Sequence, residues 1–287
     1  MLTLDYNQSL TGGEKSWLEE HGDIRMGFLN NDPAIFSMDE TTGKLTGMLP
    51  EYVSYAKDCL GNQTLKFNIQ DYDDYDEMLQ ALQNHEIDMI FYAGRNPDIA
   101  EKKGYALTNT AWTYNLMAVT DEKNFDEGNV YTVAVPKEKE ALKQQLTFSY
   151  PQWNLVDYDS FEEAAEMITN EKADCFLMGA SQAMVYDNNR DFKSVPLTKT
   201  MEACFAVKGG EETLLSILNK TLKGMPSGML ISALAIYDST ADKVTFLDFV
   251  KDNMLAFFLA TGFSALSIIV IILVLLRKAR KAEAAAK

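Results

Sequence analysis

The stretch Tyr75-DEMLQALQNHEIDMIFYAG-Arg95 recurs 86 residues later as Phe161-EEAAEMITNEKADCFLMGA-Ser181. Each copy places apolar residues at helical spacing, then an Asn, and then an Asp that precedes a continuous apolar run. Both copies predict a helix, a turn and a buried parallel strand, Met89 to Tyr92 in the first and Cys175 to Met178 in the second. The alternative is a chance similarity between two αβ units.

Further elements precede each copy. They are the strand Ile24 to Leu29 and the helix Pro50 to Leu60 in the first half, and the strand Tyr131 to Val135 and the helix Lys137 to Gln145 in the second half. The halves are joined by an apolar connection, Trp112-TYNLMAVT, and a second passage, Met201-EACFAVK, leads to a helical segment, Glu211 to Leu222. Two crossings predict an α/β fold with two lobes and a hinge.

Ligands of open α/β sheets bind beyond the carboxyl ends of the strands. We therefore expect three loops to face one another across a cleft: Asn30-Asn31, Gly94-Arg95 and Gly179 to Ser181. Closure of two such lobes around a small molecule converts binding into movement.

A predicted transmembrane helix, Met254 to Leu276, has no charged side chain in 23 residues. At about 1.5 Å per residue it is long enough to cross the hydrocarbon core. Arg277, Lys278, Arg280 and Lys281 follow it, so the positive-inside rule predicts a cytoplasmic C-terminus. We expect a single-pass protein of the cell membrane whose N-terminal domain is extracytoplasmic.

The charge and the cysteines narrow the class of protein. The net charge of −16 argues against nucleic acid as a partner. Cys59, Cys175 and Cys204 lack metal-site spacing, so they are expected to be free buried thiols, with a Cys175–Cys204 disulfide as the alternative. Residues 1–20 lack a secretory signal, and we expect upstream sequence before Met1 and a longer protein beyond Lys287.

Over residues 17–237 the sequence resembles the type II periplasmic solute-binding fold, of the family-3, amino-acid-binding kind. The matching stretches are Ile24-RMGFLNNDPAIFSMDETTGKLTGMLPEY, Tyr75-DEMLQALQNHEIDMI, Asp159-SFEEAAEMITNEKAD and Leu218-NKTLKGMPSGML. The opening Leu10-TGGEKSWLEEHGDIRMG resembles the lead-in of membrane-proximal Venus-flytrap sensor domains, and Arg277-KARKAEAAAK resembles the linker helix of hybrid histidine kinases.

The resemblance implies a ligand site between the lobes. It places Tyr75 where the family sets an aromatic ring over the ligand, and Asn31, Gly94 and Asn96 at polar and backbone contacts. Asn31 and Asn96 stand near Pro33 and Pro97, so turn capping would also explain them.

The family grips an α-amino acid with an Arg for the carboxylate and an Asp for the ammonium. Those positions hold Glu101 and Gly179 here, so we expect a ligand other than a simple α-amino acid. Glu101, if it lines the cleft, would favour a cation or a hydroxyl-rich ligand. Arg95 could bind an anion or form a surface ion pair, and Trp112 and Tyr114 could stack on a cyclic ligand or pack in the hinge.

Catalysis by this segment is not expected. The acidic run Asp71 to Glu77 is interpreted as a helix start rather than a glycosidase pair or a calcium site, and no cofactor or metal is predicted. The expected function is ligand sensing for a transmembrane sensor histidine kinase, signalling by lobe closure. The alternatives are the sensor domain of a diguanylate cyclase and a membrane-tethered solute-binding component of an ABC uptake transporter.

The predicted partners are a small-molecule ligand, the cytoplasmic membrane and, as an open alternative, a second copy of the chain. The predicted organisation is a lead-in segment (1–22), lobe 1 (23–115), lobe 2 (116–199), a return to lobe 1 (200–250), a transmembrane helix (254–276) and the start of a linker helix (277–287).

Overall fold

The computed structural model describes residues 9–30, 34–38, 45–60, 65–183 and 192–233. The chain divides into two compact units, residues 1–237 and 238–287, and all the described residues belong to the first. Within the described ranges, no helix is long and apolar enough to span a membrane. The predicted span Met254 to Leu276 and the linker that follows it lie outside the described residues.

Twelve strands form in the described part of the chain. They are β1 (Ile24–Leu29), β2 (Ser37–Met38), β3 (Leu45–Thr46), β4 (Phe67–Tyr72), β5 (Met89–Gly94), β6 (Tyr105–Tyr114), β7 (Leu116–Thr120), β8 (Thr132–Pro136), β9 (Asn154–Tyr158), β10 (Cys175–Gly179), β11 (Lys193–Pro196) and β12 (Met201–Lys208).

Eight helices accompany them in the same ranges. They are α1 (Gly12–His21), α2 (Met48–Asp58), α3 (Tyr75–Gln83), α4 (Pro97–Lys102), α5 (Glu140–Ser149), α6 (Phe161–Thr169), α7 (Ala180–Ala183) and α8 (Glu212–Gly224).

Two five-stranded sheets define two lobes. The sheet of lobe 1 has the order β4-β1-β5-β12-β6, and the sheet of lobe 2 has the order β11-β7-β10-β8-β9. In each sheet three strands run parallel, β4-β1-β5 or β9-β8-β10, and the other two lie beside them in antiparallel pairings. The two sheets therefore share one topology, and the predicted bilobed α/β architecture is confirmed.

The predicted repeat extends to individual hydrogen bonds. In lobe 1 the Asp88 amide donates to the Arg25 carbonyl, and the Asp88 carboxylate accepts from the Arg25 amide. In lobe 2 Asp174 makes the same two bonds with Thr132. The corresponding turns also match, since His85 (φ 59°) and Glu171 (φ 56°) are both left-handed.

The chain passes between the lobes where β6 gives way to β7 and where β11 is followed by β12. The predicted connection Trp112-TYNLMAVT is thus the end of one strand and the start of another, divided at Asn115. The two passages contact each other, because the Thr200 hydroxyl donates to the Asn115 side chain at 3.2 Å. These neighbouring passages form the hinge.

The N-terminal helix α1 packs on α8. Thr11 and Glu14 form a capping box at its start. The buried Glu14 carboxylate accepts from Lys220 Nζ (2.6 Å) and from Ser216 (2.7 Å). Burial opposes ionisation of Glu14, but the hydrogen bonds from Lys220, Thr11 and Ser216 outweigh it and lower its pKa to about 2.

The three cysteines are free. Cys175 lies in β10 of lobe 2 and Cys204 in β12 of lobe 1, so the alternative of a disulfide between them is wrong for this structure. Burial raises the pKa of both thiols, which favours the neutral, unreactive form.

Candidate ligand-binding cleft

The carboxyl end of β5, where the sequence predicts ligand contacts, is covered by α5 of lobe 2. A Cβ added at Gly94 would lie 1.9 Å from the Ala141 carbonyl oxygen, so only glycine allows this approach. Helix α5 begins at Glu140 rather than at Lys137 as predicted, because the Lys139 amide donates to the Pro136 carbonyl in a turn. The first turn of α5 therefore packs against the carboxyl end of β5.

Gln144 of α5 bonds to lobe 1 through both its side chain and its backbone. Its Oε1 accepts from the hydroxyls of Tyr75 (3.3 Å) and Tyr105 (3.4 Å), and its backbone carbonyl accepts from Asn96 Nδ2 (2.7 Å). Burial raises the pKa of Tyr75, so this phenol is a neutral donor. We call this set, with the Gly94–Ala141 approach, the α5 contact.

The α5 contact is shielded from water. Tyr75 is 5 % exposed, Asn96 2 % and Gln144 4 %. The Asn96 Oδ1 accepts from the Ile99 amide at the start of α4, so both ends of that amide group are used within the chain. Tyr75, Gly94 and Asn96 therefore meet lobe 2 itself.

A cavity of about 170 Å³ lies between the lobes beside the α5 contact. Lobe 1 contributes Tyr92, Trp112 and Tyr114, and lobe 2 contributes residues of β7, β10, α5 and α6, including Gly179. The Trp112 indole packs edge-on against Tyr92, with ring centroids 4.9 Å apart. Trp112 thus packs within lobe 1 and lines the cavity, and its stacking on a cyclic ligand stays a prediction.

Two predicted site residues lie elsewhere. Arg95 Nε is 3.5 Å from Glu202 Oε2, and its guanidinium also reaches Cys204, which is the arrangement of a surface ion pair. Glu101 is exposed on α4 and does not line the cavity.

Asn31 lies outside the described residues. Ser181 falls in the short helix α7 that follows Gly179.

The acidic run Asp71 to Glu77 leads into a helix, as the sequence predicted. The Asp74 side chain accepts from the Glu77 amide and begins α3 at Tyr75, so this part of the run is a helix cap. Its counterpart in lobe 2 is Ser160, which accepts from the Glu163 amide.

Sequence reasoning missed Gln144 and Gln145, which are both buried in α5. Their spacing gives a usable signal, since they follow Ala141 at i+3 and i+4 and so share its helix face. The predicted helix Lys137 to Gln145 contained them, but only the fold shows that this face meets lobe 1.

The sequence profile of the bacterial extracellular solute-binding proteins, family 3, matches residues 24–235. The chain belongs to this family. The predicted family resemblance is therefore confirmed, and the family is one of solute-binding proteins.

The virulence sensor protein BvgS of Bordetella pertussis is 23 % identical over 248 residues, which cover 82 % of this chain and 19 % of BvgS. The chain thus spans about a fifth of the length of this relative. The crystal structure of the BvgS periplasmic VFT2 domain has a TM-score of 0.58 at 23 % identity and covers 79 % of this chain and 98 % of its own.

The structure of a solute receptor is also similar. The solute receptor for L-cysteine of Neisseria gonorrhoeae has a TM-score of 0.51 at 19 % identity, over 77 % of this chain and 92 % of its own. At these identities the likeness shows the fold alone.

Proposed function

We propose that the chain carries the extracytoplasmic sensing domain of a transmembrane sensor histidine kinase, and that the relative position of its lobes is the signal. The observation that carries this proposal is the α5 contact. Lobe 2 itself fills the strand end at which family members contact an amino acid, because Ala141 lies against Gly94 and the Gln144 carbonyl accepts from Asn96.

The residues at the family's charge-binding positions support a role other than amino-acid capture. The carboxylate-binding Arg is replaced by the exposed Glu101, and the ammonium-binding Asp by Gly179. A transport component has to bind its cargo and release it. A domain whose lobes meet through their own side chains is suited instead to two discrete lobe arrangements whose populations a stimulus shifts.

The sequence beyond the described residues supports a membrane connection. Met254 to Leu276 is uncharged and is followed by four basic residues within the next five positions. In the proposal this segment crosses the membrane once and passes the lobe arrangement to a cytoplasmic helix that starts at Arg277.

A receptor chimera tests the proposal. The chain is joined at Lys287 to the cytoplasmic kinase part of a characterised sensor kinase, and phosphorylation of the cognate response regulator is measured. Gly94→Leu, which the Ala141 carbonyl cannot accommodate, should change phosphorylation several-fold. The exposed α6 substitution Glu166→Ala is the control and should leave it unchanged.

The proposal would be contradicted if the Gly94→Leu chimera, with its lobes shown to have separated, phosphorylated the response regulator as the unchanged chimera does. If the natural output were a diguanylate cyclase, Gly94→Leu would change the lobe arrangement in the same way. The change in activity would then be seen only when the sensing domain is joined to a cyclase.

A further inference from the structure

The cavity beside the α5 contact has mostly apolar walls. Aromatic rings of Tyr92, Trp112 and Tyr114 face it from lobe 1, and Leu142, Phe161 and Leu177 face it from lobe 2. Among the described residues that line it, Lys139 is the one charged side chain. Tyr158 donates to the Leu177 carbonyl at 2.9 Å, and Tyr92, Tyr114 and Lys139 each have an interaction partner.

These walls favour an uncharged ligand. A carboxylate or an ammonium entering the cavity would lose part of its hydration, and among the described residues of the wall the one charged side chain, Lys139, already has a partner. The Arg and Asp that would compensate an amino acid are absent from the wall, because Glu101 is exposed on α4 and Gly179 has no side chain. Burial of apolar ligand surface, by contrast, is favourable at about 25 cal/mol per Å².

The volume sets the size of the ligand. An apolar protein cavity of about 150 Å³ is known to bind benzene. The cavity here, about 170 Å³, therefore has room for one ring with a small substituent.

We infer that the cavity between Trp112 and Phe161 binds a small uncharged monocyclic molecule, and that this molecule bridges the two lobes. This inference deepens the proposed sensing function and rests on it for its biological meaning. Because the ligand contacts both lobes at the hinge side of the α5 contact, it stabilises the arrangement in which that contact is made.

Three probes of one ring size separate ligand classes: benzyl alcohol is neutral, benzoate is anionic and L-phenylalanine is zwitterionic. Their dissociation constants for the full 287-residue chain are measured by saturation-transfer NMR, and melting temperatures are recorded alongside. Benzyl alcohol should raise the melting temperature by about 5–10 °C at a free concentration about 100 times its dissociation constant. Benzoate and L-phenylalanine should bind at least about tenfold more weakly.

Filling the cavity locates the site. Leu116→Trp adds an indole at the cavity wall and should weaken benzyl alcohol binding by more than about tenfold. Leu155→Trp makes the same change in β9, away from the cavity, and should leave binding unchanged. If Leu116→Trp fails to fold, Ala34→Leu narrows the same cavity from lobe 1 by a smaller change.

Three results would overturn the inference: no binding of benzyl alcohol at millimolar concentration, binding of benzoate as tight as that of benzyl alcohol, or undiminished binding by the folded filling variant. None of them depends on signalling. Binding without any effect on the receptor chimera would instead refute the proposed function and leave the cavity assignment intact.

Discussion

The two copies of the repeat end differently, although their strands and turns match. In the first copy Gly94, the last residue of β5, lies against the Ala141 carbonyl of the opposite lobe. In the second copy Gly179, the last residue of β10, lines the cavity between the lobes. One strand end thus joins the lobes, and the corresponding strand end forms part of the cavity wall.

The two lobes agree where residues support the fold and differ where they face the cleft. The sheets, the Asp88 and Asp174 bonds and the left-handed turns are kept in both lobes because they support the fold. The divergence is concentrated at the loops that face the cleft. We therefore expect substitutions at corresponding places in the two copies, the two aspartates and the two strand ends, to have unequal effects.

The largest inequality is expected at the two aspartates. Asp88 is buried and accepts from the Arg25 amide, from the Arg25 guanidinium (2.5 Å) and from His21 (3.0 Å). The exposed Asp174 accepts from the Thr132 amide. Asp88→Ala should lower the free energy of unfolding by about 3–4 kcal/mol, and Asp174→Ala by about 1 kcal/mol, in urea titrations. Equal losses would contradict the unequal burial.

The glycines give the next inequality. Gly94→Ala should cost about 2 kcal/mol, because the new methyl group displaces α5, whereas Gly179→Ala adds a methyl group to the cavity wall and should cost less than about 1 kcal/mol. The same urea titrations measure both. Equal costs would show that the α5 contact does not form in solution.

The pH dependence of the free energy of unfolding provides a further test of the role of Asp88. Burial opposes ionisation of Asp88, but its hydrogen bonds with Arg25 outweigh this and lower its pKa. The stabilisation is present above the ordinary pKa of about 3.9 and is lost as pH falls through the lowered folded-state pKa. The free energy of unfolding should therefore fall less for Asp88→Ala than for the wild type between pH 5 and the acid limit of folding. Parallel pH profiles would refute this assignment.

The smallest effect is expected at Gln144. Gln144→Ala removes the acceptor of the Tyr75 and Tyr105 hydroxyls and should cost about 1 kcal/mol. A double-mutant cycle with Tyr75→Phe should show a coupling of about 0.5–1 kcal/mol. The control Tyr158→Phe, whose hydroxyl bonds within lobe 2, should be additive with Gln144→Ala. Coupling of Gln144→Ala with Tyr158→Phe, in the absence of coupling with Tyr75→Phe, would contradict the role of Gln144 in joining the lobes.

The sequence predicted the fold well because its signals are local. Helical spacing before Asn84 and Asn170, and the apolar runs after Asp88 and Asp174, each fall within one αβ unit. The start of α5 was placed too early, since the turn bond between Pro136 and Lys139 leaves no mark on the pattern of apolar residues.

The site was predicted only in part. Trp112 and Gly179 do line the cavity, but the covering of Gly94 and Asn96 depends on Gln144, which is 48 positions away from Asn96 and 69 from Tyr75. Contacts at such separations come from the packing of one lobe on the other, which periodicity does not encode. That the residues predicted from the sequence contact a ligand stays a prediction.

The distance between the lobes tests the central claim most directly. Spin labels are placed at the equivalent exposed positions Gln80 and Glu166, in a background with Cys59→Ser, and their separation is measured by pulsed electron resonance in chain freed of small molecules. The account predicts one short separation that lengthens in Gly94→Leu and persists in Gly179→Ala. A wild-type separation already as long as that of Gly94→Leu would contradict the claim that the α5 contact holds the lobes together.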